Sequence, residues 1–141
     1  MDTLSAQASS PTHVQSSAID GIFAGVMGGF LFGILMQLTG MMSALAGMMN
    51  SQLPILGWFV HAMISASFGA IYGLGAYNIS RNWVVAGLVY GGVLWIFGSL
   101  IMMPLFMGTM IFTFSSMVCF ALLGHLIYGF VTAWVFWLLS K

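Results

Sequence analysis

The sequence predicts an all-α fold, a bundle of four transmembrane helices. Three observations predict it. Hydrophobic residues make up 61% of the 141-residue chain and charged residues only 3%, whereas a soluble domain carries about 25% charged residues. Residues 19–141 contain apolar runs long enough for four spans at about 20 residues each. Polar and helix-breaking clusters separate those runs.

Residues 1–18 are small and polar, rich in Ser, Ala, Gln and Thr. They lack the basic start and apolar run of a secretory signal, and they read as an N-terminal tail, disordered alone and suited to docking on a partner. The first helix is expected over 21–42. Asn50, Ser51, Gln52 and Pro54 then break the pattern. The second helix is expected over 53–77, followed by Asn78, Ser80, Arg81 and Asn82. The third is expected over 82–103, stopped by Pro104 and Gly108, because the residue before a proline disfavours helix. After Thr113, Ser115 and Ser116, the fourth is expected over 116–139. The short connection between the second and third helices predicts that they pack as antiparallel neighbours.

Arg81 and Lys141 are the only Arg and Lys side chains. With four spans both fall on the side of the N-terminus, and the positive-inside rule places both termini in the cytoplasm, in the inner membrane. Trp83, Trp134 and Trp137 then mark the inner interface and Trp58 the outer one. Trp95 falls in mid-span and requires a packing partner.

The halves of the chain resemble each other. Ala24-Gly25 and Gly28-Gly29 in the first helix correspond to Ala86-Gly87 and Gly91-Gly92 in the third. His61 and His125 correspond between the second and fourth. This pattern suggests two parallel helical-hairpin repeats, although low-complexity apolar sequence also yields such matches.

Gly21, Gly25, Gly29 and Gly33 recur every four residues and so share a helix face, a glycine-zipper pattern. Gly69 and Gly73 continue it in the second helix, Gly87 and Gly91 in the third. In lipid, where apolar burial gains little, small residues let helix backbones approach. Either the bundle uses these stripes internally or the long stripe on the first helix forms an external groove for a partner helix, a lipid or a pigment tail.

Thirteen methionines concentrate at the expected outer side, where His61 and His125 also fall. At 1.5 Å per residue His61 is about 10 Å below Pro54 and His125 about 14 Å below Ser116, at comparable depth. Thioether and imidazole are ligands for Cu(I), so His61, His125, Met63 and Met103 are the candidate metal ligands. The two histidines are also the candidate cofactor ligands, for haem or a chlorophyll-type pigment. Methionine as gap filler and histidine as an interhelical hydrogen-bonding group need no cofactor, and that is the simpler expectation. Cys119 is alone and forms no disulfide within the chain.

No Asp or Glu follows Asp20, which argues against a proton-coupled carrier and against carboxylate-pair hydrolysis. No nucleotide-binding, zinc-protease or nucleophile-elbow motif is present. Two cations make nucleic acid an unsuitable partner. No catalytic residues are assigned, and the chain reads as a non-enzyme.

The stretches Gly57-Trp58-x-x-His61, Met103-Pro104 and Gly124-His125-Leu126-x-Tyr128-Gly129 resemble an uncharacterised family of small four-helix bacterial and archaeal membrane proteins, YagU-like in style. The resemblance spans residues 20–139. It implies that His61, Pro104, His125 and Tyr128 belong to a shared signature, and it implies no activity.

The expected function is an accessory, structural subunit of a larger membrane complex of the respiratory or photosynthetic electron-transfer type. The expected partners are the lipid bilayer and other integral-membrane subunits. The alternative is a metal, haem or pigment site at the Met/His cluster. A third reading is a small oligomeric transporter or channel.

Overall fold

A computed structural model describes residues 11–141; of the expected tail, residues 1–10 lie outside the described residues. The described chain is a helical bundle with four helices long and apolar enough to cross a membrane, Ser17–Leu38, Pro54–Leu74, Trp83–Met107 and Ser116–Leu139. Its elements are α1 (Pro11–Leu38), α2 (Met41–Met48), α3 (Pro54–Leu74), a 3₁₀ turn (Ala76–Ile79), α4 (Trp83–Trp95), a π-helical segment (Ile96–Met102), α5 (Met103–Met107) and α6 (Ser116–Leu139).

The helix ends follow from local chemistry. α1 begins at Pro11, so residues 11–18 of the expected tail are helical. The expected first helix does not run unbroken to Met42. The Thr39 hydroxyl turns back onto the carbonyls of Leu35 and Met36, and Gly40 takes a positive φ of 75°, a conformation glycine adopts without penalty. The chain restarts as α2, an element the sequence reading did not contain. Pro54 opens α3 at a position where its missing N–H costs nothing, and α3 closes at Leu74, three residues earlier than expected. Asn82 caps α4 by accepting from the Val84 N–H at 2.9 Å, and Ser115 caps α6 by accepting from the Val118 N–H at 3.2 Å.

The third span does not stop before Pro104. A proline inside a helix removes one N–H and crowds the carbonyl four residues back, here that of Leu100. The helix widens into the π-helical segment and continues as α5 to Met107. The Leu100 carbonyl accepts instead from the N–H of Phe112 in the following loop, at 2.9 Å. Phe112 holds a positive φ of 56° to make that contact.

The closest packing pairs are α1 with α3, α4 with α6, and α1 with α6. α3 and α4 are not close-packed along their lengths, which corrects the expectation drawn from their short connection. Glycine explains the arrangement. A Cβ on Gly25 would lie 2.5 Å from both Gly69 Cα and the Ser65 carbonyl oxygen, and one on Gly21 would lie 2.9 Å from Gly73 Cα. On the other pair, a Cβ on Gly87 would lie 2.6 Å from the Gly129 carbonyl oxygen, and one on Gly91 would lie 3.0 Å from the His125 carbonyl carbon. These seams admit backbone against backbone, while Tyr72 and Tyr90 meet between α3 and α4 with ring centroids 5.1 Å apart.

The two seams share one register. Gly25 faces Ser65 and Gly69 as Gly87 faces Gly129 and Ala133. The first and second hairpins thus pair equivalent positions, as the sequence pattern suggests. The glycine face of α1 is consumed internally: Gly21, Gly25 and Gly29 lie against α3, Gly33 against Trp58, and Gly28 against Tyr128 and Thr132 of α6. No external groove along these glycines remains, which corrects that alternative.

Two tyrosines fasten the second hairpin to α3. Tyr90 of α4 donates to the Phe68 carbonyl and Tyr128 of α6 to the Ser65 carbonyl, both at 2.7 Å. Trp95 has its partner as well, since its indole N–H donates to the Val118 carbonyl at 2.8 Å.

Candidate functional site

Because α3 and α4 stand apart, the methionine-rich half of the bundle contains a cleft of about 410 Å³. That volume lies within the range of small-molecule sites. Met36 from α1, Met41 and Met48 from α2, Met102 from the π-helical segment and Met103 from α5 line it. Both histidines line it too, together with Ser65, Ser99 and Tyr128. α2 and the π-helical segment therefore both build this cleft.

His61 sits one-third of the way along α3 and is 7% exposed. Its Nε2–H donates to the Gly29 carbonyl on α1 at 2.9 Å. The carbonyl can only accept, so Nε2 carries the proton and Nδ1 keeps a lone pair in the neutral ring. His125 on α6 uses the opposite nitrogen: its Nδ1–H donates to the Ala121 carbonyl one turn earlier, at 2.8 Å. Its Nε2 keeps the lone pair and faces Gly98, where an added Cβ would lie 3.3 Å away. A larger residue at 98 would crowd this nitrogen.

Phe32 packs against both imidazoles. Its ring centroid is 5.4 Å from that of His61 and 4.8 Å from that of His125, edge-on to both. It is seated on Gly124, whose missing Cβ leaves the room that the Phe32 ring fills. The sequence reading brings both histidines to similar depth, and here they share one cleft.

Of the candidate metal ligands, Met103 lines the cleft with the histidines, but Met63 does not. Met63 lies on the outer surface of α3, 58% exposed. Met107, Met110 and Met117 are also exposed. Met42 is fully buried under α3, where a Cβ on Gly57 would run into its carbonyl oxygen. Among the described residues no three His, Cys, Asp or Glu side chains gather as a metal site. A metal here would depend on methionine sulfur. Cys119 is exposed and apart from the cleft.

The reading from sequence missed Phe32 and Gly98. Phe32 lies four residues before Met36 and so shares its helix face, a signal that was available. Gly98 becomes a wall of the cleft only through the π-helical segment.

No family model, curated protein or solved structure matches this chain. The likeness at Gly57-Trp58-x-x-His61 and Gly124-His125-Leu126-x-Tyr128-Gly129 therefore rests on those residues alone.

Proposed function

We propose that this chain is a non-catalytic integral membrane protein that holds one apolar molecule bearing a hydroxyl or N–H group in the cleft between α3 and α4. The observation that carries the reading is the pair of imidazoles, each with one N–H committed to a backbone carbonyl, in one methionine-lined cleft. Each imidazole keeps one nitrogen as an acceptor, and an acceptor in apolar surroundings favours a ligand that donates. Methionine supplies an adaptable, polarisable wall for a flat ring or an isoprenoid-like chain. A pigment-like or lipid-like molecule fits this chemistry. The protein lies in the cytoplasmic membrane with both termini inside, on the strength of Arg81 and Lys141 sharing one end.

Purification in mild detergent, followed by solvent extraction and mass spectrometry, tests this. One apolar species should be enriched over bulk lipid in the wild-type protein and reduced in His125→Phe. An extract identical to bulk lipid in both proteins would overturn the reading.

A second reading keeps the protein as an accessory subunit of a larger membrane assembly, with other integral-membrane chains as partners. The incomplete packing of α3 on α4 favours it, because a neighbouring subunit could close that side. Co-purification of stoichiometric partner chains from native membranes supports it. A lone species carrying the small molecule supports the first reading.

A further inference from the structure

The opposite end of the bundle carries a second, chemically different cavity. It has a volume of about 700 Å³, and Asp20, Arg81 and Lys141 all line it. These are all of the charged side chains among the described residues. They reach the cavity from three separate places: α1, the connection between α3 and α4, and the end of α6. Asn78, Ser80 and Ser140 add polar groups to it.

Its walls are aromatic. Tyr72 and Phe136 line it with ring centroids 5.6 Å apart, and Trp83 stacks on Trp137 at 5.7 Å with planes inclined by 23°. Lys141 is drawn over this stack, its Nζ 3.6 Å from the centre of the Trp137 ring. Two cationic side chains and one carboxylate side chain ring the cup, above a wall suited to the interfacial layer of a bilayer.

We infer that this cup binds the phosphodiester headgroup of an anionic phospholipid. Arg81 and Lys141 provide the charge for the phosphodiester, and Arg in particular presents a fork of donors matched to phosphate oxygens. Asp20 and the Ser and Asn side chains accept from headgroup hydroxyls. The Trp83–Trp137 stack lies against the glycerol and first acyl carbons. A free phosphate has the same anionic chemistry but gains nothing from the aromatic wall, so the lipid is the occupant. This inference concerns the end of the bundle away from the histidine cleft and does not depend on what that cleft binds.

Native mass spectrometry of the full chain, delipidated in detergent and titrated with phosphatidylglycerol or phosphatidylcholine of equal chain length, tests it. Phosphatidylglycerol should bind more tightly than phosphatidylcholine. Arg81→Gln and Lys141→Gln should each weaken phosphatidylglycerol by about fivefold, the worth of one basic residue at an anionic surface. Asp20→Asn should leave binding equal or tighter. Equal binding of the two lipids, unchanged binding in both cation variants, or displacement of the lipid by inorganic phosphate would each overturn the inference.

Discussion

The Nε2–H of His61 on α3 donates to the backbone carbonyl of Gly29 on α1 across 2.9 Å. The bond exists because the seam is so narrow: a Cβ on Gly29 would meet the Ser65 side chain. One close approach thus joins the first hairpin, fixes the ring orientation of His61 and forms one wall of the cleft. Interhelical hydrogen bonds in membranes contribute about 0.6 to 2 kcal/mol. His61→Phe should therefore lower stability by about 1 kcal/mol without disassembling the bundle. Unfolding of the purified protein in a denaturing detergent checks this. A loss of all helical structure would mean that the bond has a larger part in the fold than its energy implies.

The glycine seams should respond to substitution by position and not by composition. Gly69→Ala places a methyl against Gly25, 2.7 Å from its Cα. Backbone cannot rotate away, so α1 and α3 must separate, at a cost of about 2–3 kcal/mol. Gly92→Ala meets open space and should be neutral or stabilising by about 0.5–1 kcal/mol, since alanine is the better helix former. Thermal unfolding of the two variants in one detergent compares them directly.

The tyrosine ties should be measurable and roughly equal. Tyr90→Phe and Tyr128→Phe each delete one hydroxyl that donates to a carbonyl of α3. Each should cost about 1 kcal/mol. The loss should appear as faster separation of the second hairpin from α3, read by cysteine crosslinking between α3 and α6. Crosslinking at the wild-type rate in both variants would show that packing alone holds the hairpins together.

Phe112 should tolerate glycine better than alanine tolerates its place. Its positive φ of 56° disfavours any residue with a Cβ by about 1–2 kcal/mol, while its N–H bond to Leu100 needs no side chain. Phe112→Gly should keep or raise stability. Pro104→Ala restores an N–H able to compete for the Leu100 carbonyl, and should speed amide exchange at Phe112. Hydrogen exchange followed by mass spectrometry on the 108–115 loop reads both outcomes.

Much of the architecture was legible because membrane spans obey simple length and composition constraints. The fourth helix, Ser116–Leu139, falls where its apolar run places it. The pairing of helices was less legible. A short connection suggests adjacency, but the register of Gly25 on Gly69 and of Gly87 on Gly129 decides it. The local effect of Pro104 predicts a stop, whereas its absorption by a π-helical segment depends on the distant N–H of Phe112. The histidines are legible from their matched depth, their correspondence between the halves and the methionines around them. Their cleft needed two irregular elements, α2 and the segment containing Gly98, that no apolar periodicity announces.

The most direct test of the ligand-binding account is the amount of apolar molecule retained per protein in Gly98→Leu, with Gly92→Leu as control. Residue 98 lies in the cleft beside His125 Nε2, and residue 92 faces open space on the same span. The account predicts a bound species at about one per chain in wild type and Gly92→Leu, and its loss in a folded Gly98→Leu protein. Retention of the same species at the same level in Gly98→Leu would contradict it.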